Sequence, residues 1–391
     1  MSTSGTATAV ITLTDDDLER FVTHASTRRW LTGPGLPSGI GLLSFEELVR
    51  EGLRTVEDAT GDPEGRLPLD LRDQLVIGGL LDIEGQETEP VLLDGATGEV
   101  STTDFWYDTP ELMERRPLAP SLEKLVRFAT AAEELAELRG RFASYAGRFG
   151  PQVAAEATRQ LLAVFEEGVG ADGEVPPYWR IAALLRPLSL TAAPGAASGL
   201  TLDLPARLLD QEFGQGEIWR FEDVDFPATL THEPTRRFLR DTGLPEDALL
   251  FQLDTDVPLP TLTEHYADTP DAELPADADH LIRLGYLLED NSLVIDGRTG
   301  AILNWSEPEA RLYPLNTDVS TLAFTLWLLH HEHSLDEDLK YGLSQGPYAQ
   351  LAATMIQILA SVDPTVTTTD ADWHYWAEAF QDEAGGVLSA E

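Results

Sequence analysis

Residues 231–245 read THEPTRRFLRDTGLP, and residues 23–37 read THASTRRWLTGPGLP. The two phrases agree in register at nine of fifteen positions, 208 residues apart. The phrase reads as a short helix with marked ends. Thr231 is placed to cap it, since a threonine hydroxyl satisfies a free amide of the first turn. Pro234 falls in that first turn, where it sacrifices no helical hydrogen bond. Phe238 and Leu239 can face a core, Gly243 suits the left-handed position after the last turn, and Pro245 forbids continuation. Thr23, Trp30, Leu31, Gly35 and Pro37 repeat the arrangement. His232 and Arg236 are four apart and share a helical face, as do His24 and Arg28; Arg237 and Arg29 complete the motif. An anion site would use such residues. In a chain this acidic, arginines pairing with neighbouring carboxylates explain them more simply.

Outward from the phrase, more segments recur in the same order. DQLVIGGLL at 73–81 matches DHLIRLGYLL at 279–288, DGATG at 94–98 matches DGRTG at 296–300, and PLAPSLEKL at 117–125 matches PLNTDVSTL at 314–322. The offset drifts from 208 to 206, 202 and 197, as loop-length changes in a duplicated domain would produce. A period near 200 residues means two whole domains, not a solenoid. The composition places them at 1–187 and 202–391, with the small-residue and proline stretch 188–201 as linker. The first copy is expected to be the more divergent, with a shortened front.

Within each copy the hydrophobic period changes from two to 3.6. ALLFQL (248–253), LIRLGYLL (281–288), LVID (293–296) and AILNW (301–305) read as strands. Asp296, Gly297 and Gly300 form a tight hairpin turn. QLVIGGLL, PVLLD and EVSTTDF are their counterparts around Gly95 and Gly98. Helices follow at 121–135, 151–168, 318–331 and 348–362. The expected class is α+β: two similar domains, each a central, mostly antiparallel sheet flanked by helices.

The chain has 391 residues, no cysteine, 68 acidic and 26 basic side chains, and a formal charge of −42. Disulfides, thiolate metal sites and cysteine catalysis are excluded. No basic-then-apolar opening is visible, and STLAFTLWLL at 320–329 is too short to span a bilayer, so a cytoplasmic location is expected. The charge opposes direct nucleic-acid binding. It favours a basic partner, or reflects solubility or salt adaptation.

No nucleophile elbow, P-loop or dinucleotide fingerprint occurs, so neither catalytic nor cofactor-binding residues are nominated. HHEH at 330–333 lacks the HExxH spacing. His330 and His333 are expected to close a helix, where histidine interacts with terminal carbonyls; a metal-dependent enzyme using them is the rival reading. From Asp241 to Ile282 there is no lysine or arginine. Asp254, Asp256, Glu264, Tyr266, Asp268, Asp271, Glu273, Asp277 and Asp279 make this tract the candidate partner-binding surface, against the alternative of a merely solvated loop.

FPATLTHEPTRRFLRDTGLP (226–245), the DG-x-TG turn, YPLNTDVSTLAFTLWLL (313–329) and the terminal tryptophan segment DWHYWAEAF (372–380) resemble the fourth subgroup of the SUKH superfamily of bacterial immunity proteins. The likeness covers nearly all of the second copy and, more loosely, 14–187, which lacks the opening FG element. The resemblance implies an α+β fold and a non-enzymatic role: neutralising a protein toxin, often a nuclease or nucleic-acid deaminase of a polymorphic toxin system. It assigns the Thr-His-Arg-Arg phrase no catalytic role and supplies no contact residues. Two copies would engage one toxin bivalently or two toxins separately, or the first would serve as scaffold. An adaptor for another basic protein remains the alternative within the binding class.

Overall fold

The computed structural model describes residues 9–61, 65–81, 85–170, 173–269, 273–287, 291–339, 348–367 and 374–381. The chain divides into two compact units, one of residues 1–146 and 157–184, the other of 147–156 and 185–391.

The sheet of the first unit runs Gly39–Ile40, Leu43–Ser44, Leu75–Leu81, Glu87–Leu93, Val100–Thr102, Arg116–Ala119, every neighbour antiparallel. Arg54–Thr55 adds a short pairing to the start of the third strand. The second unit repeats the order with Asp247–Ala248, Phe251–Leu253, Leu281–Leu287, Asn291–Asp296, Ile302–Ser306 and Arg311–Asn316. Even the irregularities recur. The register slips between Val76 and Gly78 in one sheet and between Arg283 and Gly285 in the other. A side chain at Gly78 would lie 2.1 Å from the Ser44 carbonyl, and one at Gly285 2.2 Å from that of Gln252. A bulge presses its backbone against the neighbouring strand, and only glycine tolerates the approach.

Two details depart from the sequence expectations. Residues 248–253 are not one strand, because Leu250 takes a left-handed φ of 65° and turns the chain between two short strands. The last strand of each sheet was not expected: Pro117 and Pro314 within these strands hide the signal, and proline is tolerated there because both are edge strands.

Helices pack against each sheet, and the central strands are buried on both faces. In the first unit, Leu122–Ala136 starts at Ser121, whose hydroxyl accepts from the Lys124 amide at 3.3 Å. Its Phe128 packs edge-on against Phe165 and Trp179, with ring centres 5.2 and 5.7 Å away. Trp179 also donates to the Leu118 carbonyl of the edge strand at 2.8 Å. In the second unit, Val319–Leu339 buries Val319 through Leu329 without interruption. It therefore has no polar face along that length and must be enclosed by other elements. No described helix is long and apolar enough to cross a membrane. Trp376 fixes the last described helix, Tyr375–Gln381, by donating to Asn316 at 3.0 Å.

The stretch 188–201, whose composition suggests a linker, is folded onto the second unit. Ala193–Pro194 pairs with Leu202–Asp203, Leu188, Leu190 and Leu200 are buried, and Asp318 accepts from the Thr201 amide and hydroxyl at 2.6 Å each. The front of the first unit is also fuller than expected. Val10–Ile11 pairs with Leu36–Pro37 as Ile218–Trp219 pairs with Leu244–Pro245.

Candidate partner-binding surface

The repeated phrase is a clasp on the sheet. Helices Glu233–Asp241 and Ala25–Thr32 begin one residue later than the sequence suggests: His232 and His24, not the threonines, hold the cap position, and neither side chain makes a capping bond. Thr231 instead donates its amide to the Gly297 carbonyl at 2.8 Å and its hydroxyl at 3.2 Å, and the His232 amide adds a third bond at 3.0 Å. Thr23 and His24 do the same to Gly95, at 2.8, 3.4 and 2.9 Å. The imidazole Nδ1 then meets a buried threonine hydroxyl at 2.8 Å in both units, His232 with Thr235 and His24 with Thr27.

The DG-x-TG turns are shaped to receive this clasp. Asp296 accepts from the Arg298 and Thr299 amides, as Asp94 does from Ala96 and Thr97. Burial works against ionisation of Asp94, yet these amides and Gln74 hold its carboxyl below the ordinary value. Gly300 has φ of 79°, and a side chain there would sit 2.2 Å from the His232 ring; Gly98 and His24 stand at 2.3 Å. Gly35 and Gly243 take φ of 73° and 79° after their helices, ahead of Pro37 and Pro245. Arg28 reaches Asp15 at 2.8 Å, Arg236 lies 3.5 Å from Asp223 and over the Phe226 ring, Arg29 bonds to Ser26, and Arg237 is exposed. In both units the threonine, the histidine and the first arginine of the phrase bond within the fold.

The acidic tract of the second unit splits into two sets. Three of its members work inside the fold. Asp254 pairs with Arg283, which is fully buried; the Arg283 Nε bonds to Ser292 at 3.3 Å and its guanidinium lies 3.6 Å over the Tyr286 ring. Glu264 closes a capping box with Thr261. Tyr266 packs on a core of Leu262, Ala278, Leu281, Val294 and Trp305; burial and the nearby Glu307 push its phenol up to about 12. Burial, then the Arg283 charge, hold the neighbouring His265 imidazole below its ordinary value. Asp277 is exposed and lies 3.9 Å from Arg298. Asp256, Asp268, Glu273 and Asp279 are exposed and meet no basic side chain among the described residues. Asp271 lies outside the described residues.

The histidine run sits mid-helix, because Val319–Leu339 continues past it; the expected role at a helix end does not apply. His330 packs on the Phe213 ring at 4.4 Å. His331, which the sequence did not single out, bonds to Glu212 at 2.8 Å and stacks on Trp327, whose indole donates to the same carboxylate. No group of three metal-ligating side chains converges among the described residues.

The two units share the same bulge, the same clasp and the same turn. A family model for SUKH-4 immunity proteins matches the chain twice, over residues 4–167 and 204–382. The chain belongs to the SUKH-4 immunity protein family. Each matched region contains the whole main sheet of one unit, seven-stranded in the first and six-stranded in the second, and its clasp. Neither a curated relative nor a solved structure matches it. In this SUKH-4 chain both matched regions include the repeated phrase and its DG-x-TG turn.

Proposed function

We propose that this SUKH-4 protein binds a basic protein toxin, of nuclease or nucleic-acid deaminase class, in the cytoplasm and neutralises it by occlusion, without catalysis. The observation that carries the reading is that both halves match an immunity family while Asp256, Asp268, Glu273 and Asp279 stand exposed and unneutralised on one tract of the second unit. Enzymes that act on nucleic acid carry cationic grooves for phosphate, and an array of carboxylates competes for the same charges. Complementary fields also raise the association rate and reject partners of like charge.

The test is binding of the full chain to a catalytically inactive form of a toxin-domain protein encoded beside it, where the neighbouring gene encodes one, measured kinetically at rising salt. Association is expected to slow with ionic strength, since exposed charges are screened within about 8 Å at physiological salt. The variant Asp256→Asn/Asp268→Asn/Glu273→Gln/Asp279→Asn should lose most of that dependence. Tight binding with a salt-independent on-rate, unchanged in the variant, would refute the electrostatic reading. No binding by the wild-type chain would refute the immunity reading for that partner.

A further inference from the structure

The two sheets differ most between their last two strands. In the second unit the connection is only 307–310; in the first it is 103–115, reading TDFWYDTPELMER. The extra length is not slack. Phe105 near one end and Met113 near the other pack into a core with Val56, Leu67, Leu71, Val76 and Leu92. Between these two anchors the loop turns Trp106, Tyr107 and Leu112 outward, with 49%, 62% and 59% of their surface exposed. Leu69, 83% exposed, belongs to the short helix whose Leu71 enters the same core. Arg66 ties the two segments together, donating to the Asp108 carbonyl at 3.0 Å and approaching Glu111 at 3.8 Å. Tyr107 is steadied by the Phe105 ring at 5.9 Å.

Single exposed apolar residues are ordinary. Two large aromatics and a leucine displayed by a loop pinned at both ends, with a further exposed leucine on the helix tied to it through Arg66, give exposed apolar surface of the kind that marks an interaction site. Tryptophan and tyrosine are the residues that dominate binding energy at protein interfaces. Asp70, Asp108 and Glu114 flank these residues along the chain, exposed and without an ion pair among the described residues. Such charges repel a second copy of a chain carrying −42 and attract a cationic surface.

We infer that the first unit carries its own docking surface, in which Trp106, Tyr107, Leu112 and Leu69 form an apolar anchor that seats in a recess on a basic protein. The inference rests on the reading above that the chain binds a basic partner, and it adds a contact that the acidic tract of the second unit does not supply. An aromatic anchor desolvated at the centre of an interface governs dissociation, whereas peripheral charges govern association.

The experiment uses the full chain and the same inactive toxin-domain product. Trp106→Ala/Tyr107→Ala should weaken binding roughly 30-fold or more, chiefly through faster dissociation. Both side chains are about half exposed or more, at 49% and 62%, so the melting temperature should hold; Tyr107→Phe should retain most of the affinity, confirming that the ring and not the hydroxyl matters. An affinity within twofold of wild type for the double alanine variant, with wild type binding tightly, overturns the inference and leaves the immunity reading standing. So does a concentration-dependent dimer, seen by sedimentation, that the double variant abolishes, because the patch would then serve self-association. Failure of the wild-type chain to bind overturns both.

Discussion

Replacing Asp254 by alanine should destabilise the second unit by about 3 kcal/mol, through a charge left behind inside the fold. Arg283 has no measurable exposure. Its Nη1 is held by Asp254, its Nε by the Ser292 hydroxyl, and its Nη2 meets no partner among the described residues. Removing one member of a buried pair typically costs about 3–5 kcal/mol, because the survivor keeps its desolvation penalty. The Tyr286 ring, 3.6 Å from the guanidinium and 47% exposed, offers a compensating cation–π contact of roughly 0.5–2 kcal/mol, which favours the lower end of that range. For a unit of this size the melting temperature should fall by roughly 6–12 °C. The first unit supplies the control. Strand register places Val76 and Gly79 where the second unit has Arg283 and Tyr286, so the same fold tolerates an apolar residue there. Asp254→Ala combined with Arg283→Val should therefore recover most of the loss. Urea unfolding monitored by hydrogen exchange, which separates the two units, is the assay. A cost under 1 kcal/mol for Asp254→Ala, or a double variant as unstable as the single, would refute the reasoning.

Two further expectations follow from the clasp and from the C-terminal packing. Gly300→Ala forces a side chain into a left-handed backbone and onto the His232 ring, and should cost about 2–4 kcal/mol; Gly98→Ala should do the same to the first unit, and calorimetry showing either variant within 0.5 kcal/mol of wild type would contradict the clasp. Burial holds the His374 imidazole down to about 4 against an ordinary 6.5, so the folded state favours the neutral ring. That contribution is complete above pH 6.5 and is lost as pH falls towards 4, amounting to about 3 kcal/mol. Asp363 acts in the same direction at lower pH: burial opposes its ionisation, but hydrogen bonds from Thr317, Thr321 and Thr365 hold its carboxyl below the ordinary value. Stability of the second unit measured from pH 7 to 4 should decline, and His374→Leu should flatten the upper part of the curve; an unchanged slope in that variant would count against the assignment.

The sequence by itself determined the duplication, the α+β class and most of the elements. These are written in local signals: two periodicities, glycines at turns, and a phrase whose helix start and stop are both spelled out. It singled out the repeated phrase but misread the bonds of its threonines, because the Thr231 hydroxyl could satisfy either its own helix or a carbonyl 66 residues away, and only packing decides between them. The acidic tract shows the same division. Its composition marked nine residues as one surface, but the fold draws Asp254 inward to Arg283, 29 residues away, and sets Glu264 to capping a helix. The histidine run was likewise resolved only when Phe213 and Glu212 came against it. Charge and exposure belong to the assembled chain: a carboxylate is a structural partner or a free binding group according to what the tertiary fold brings within hydrogen-bonding reach, and no spacing along the chain encodes that.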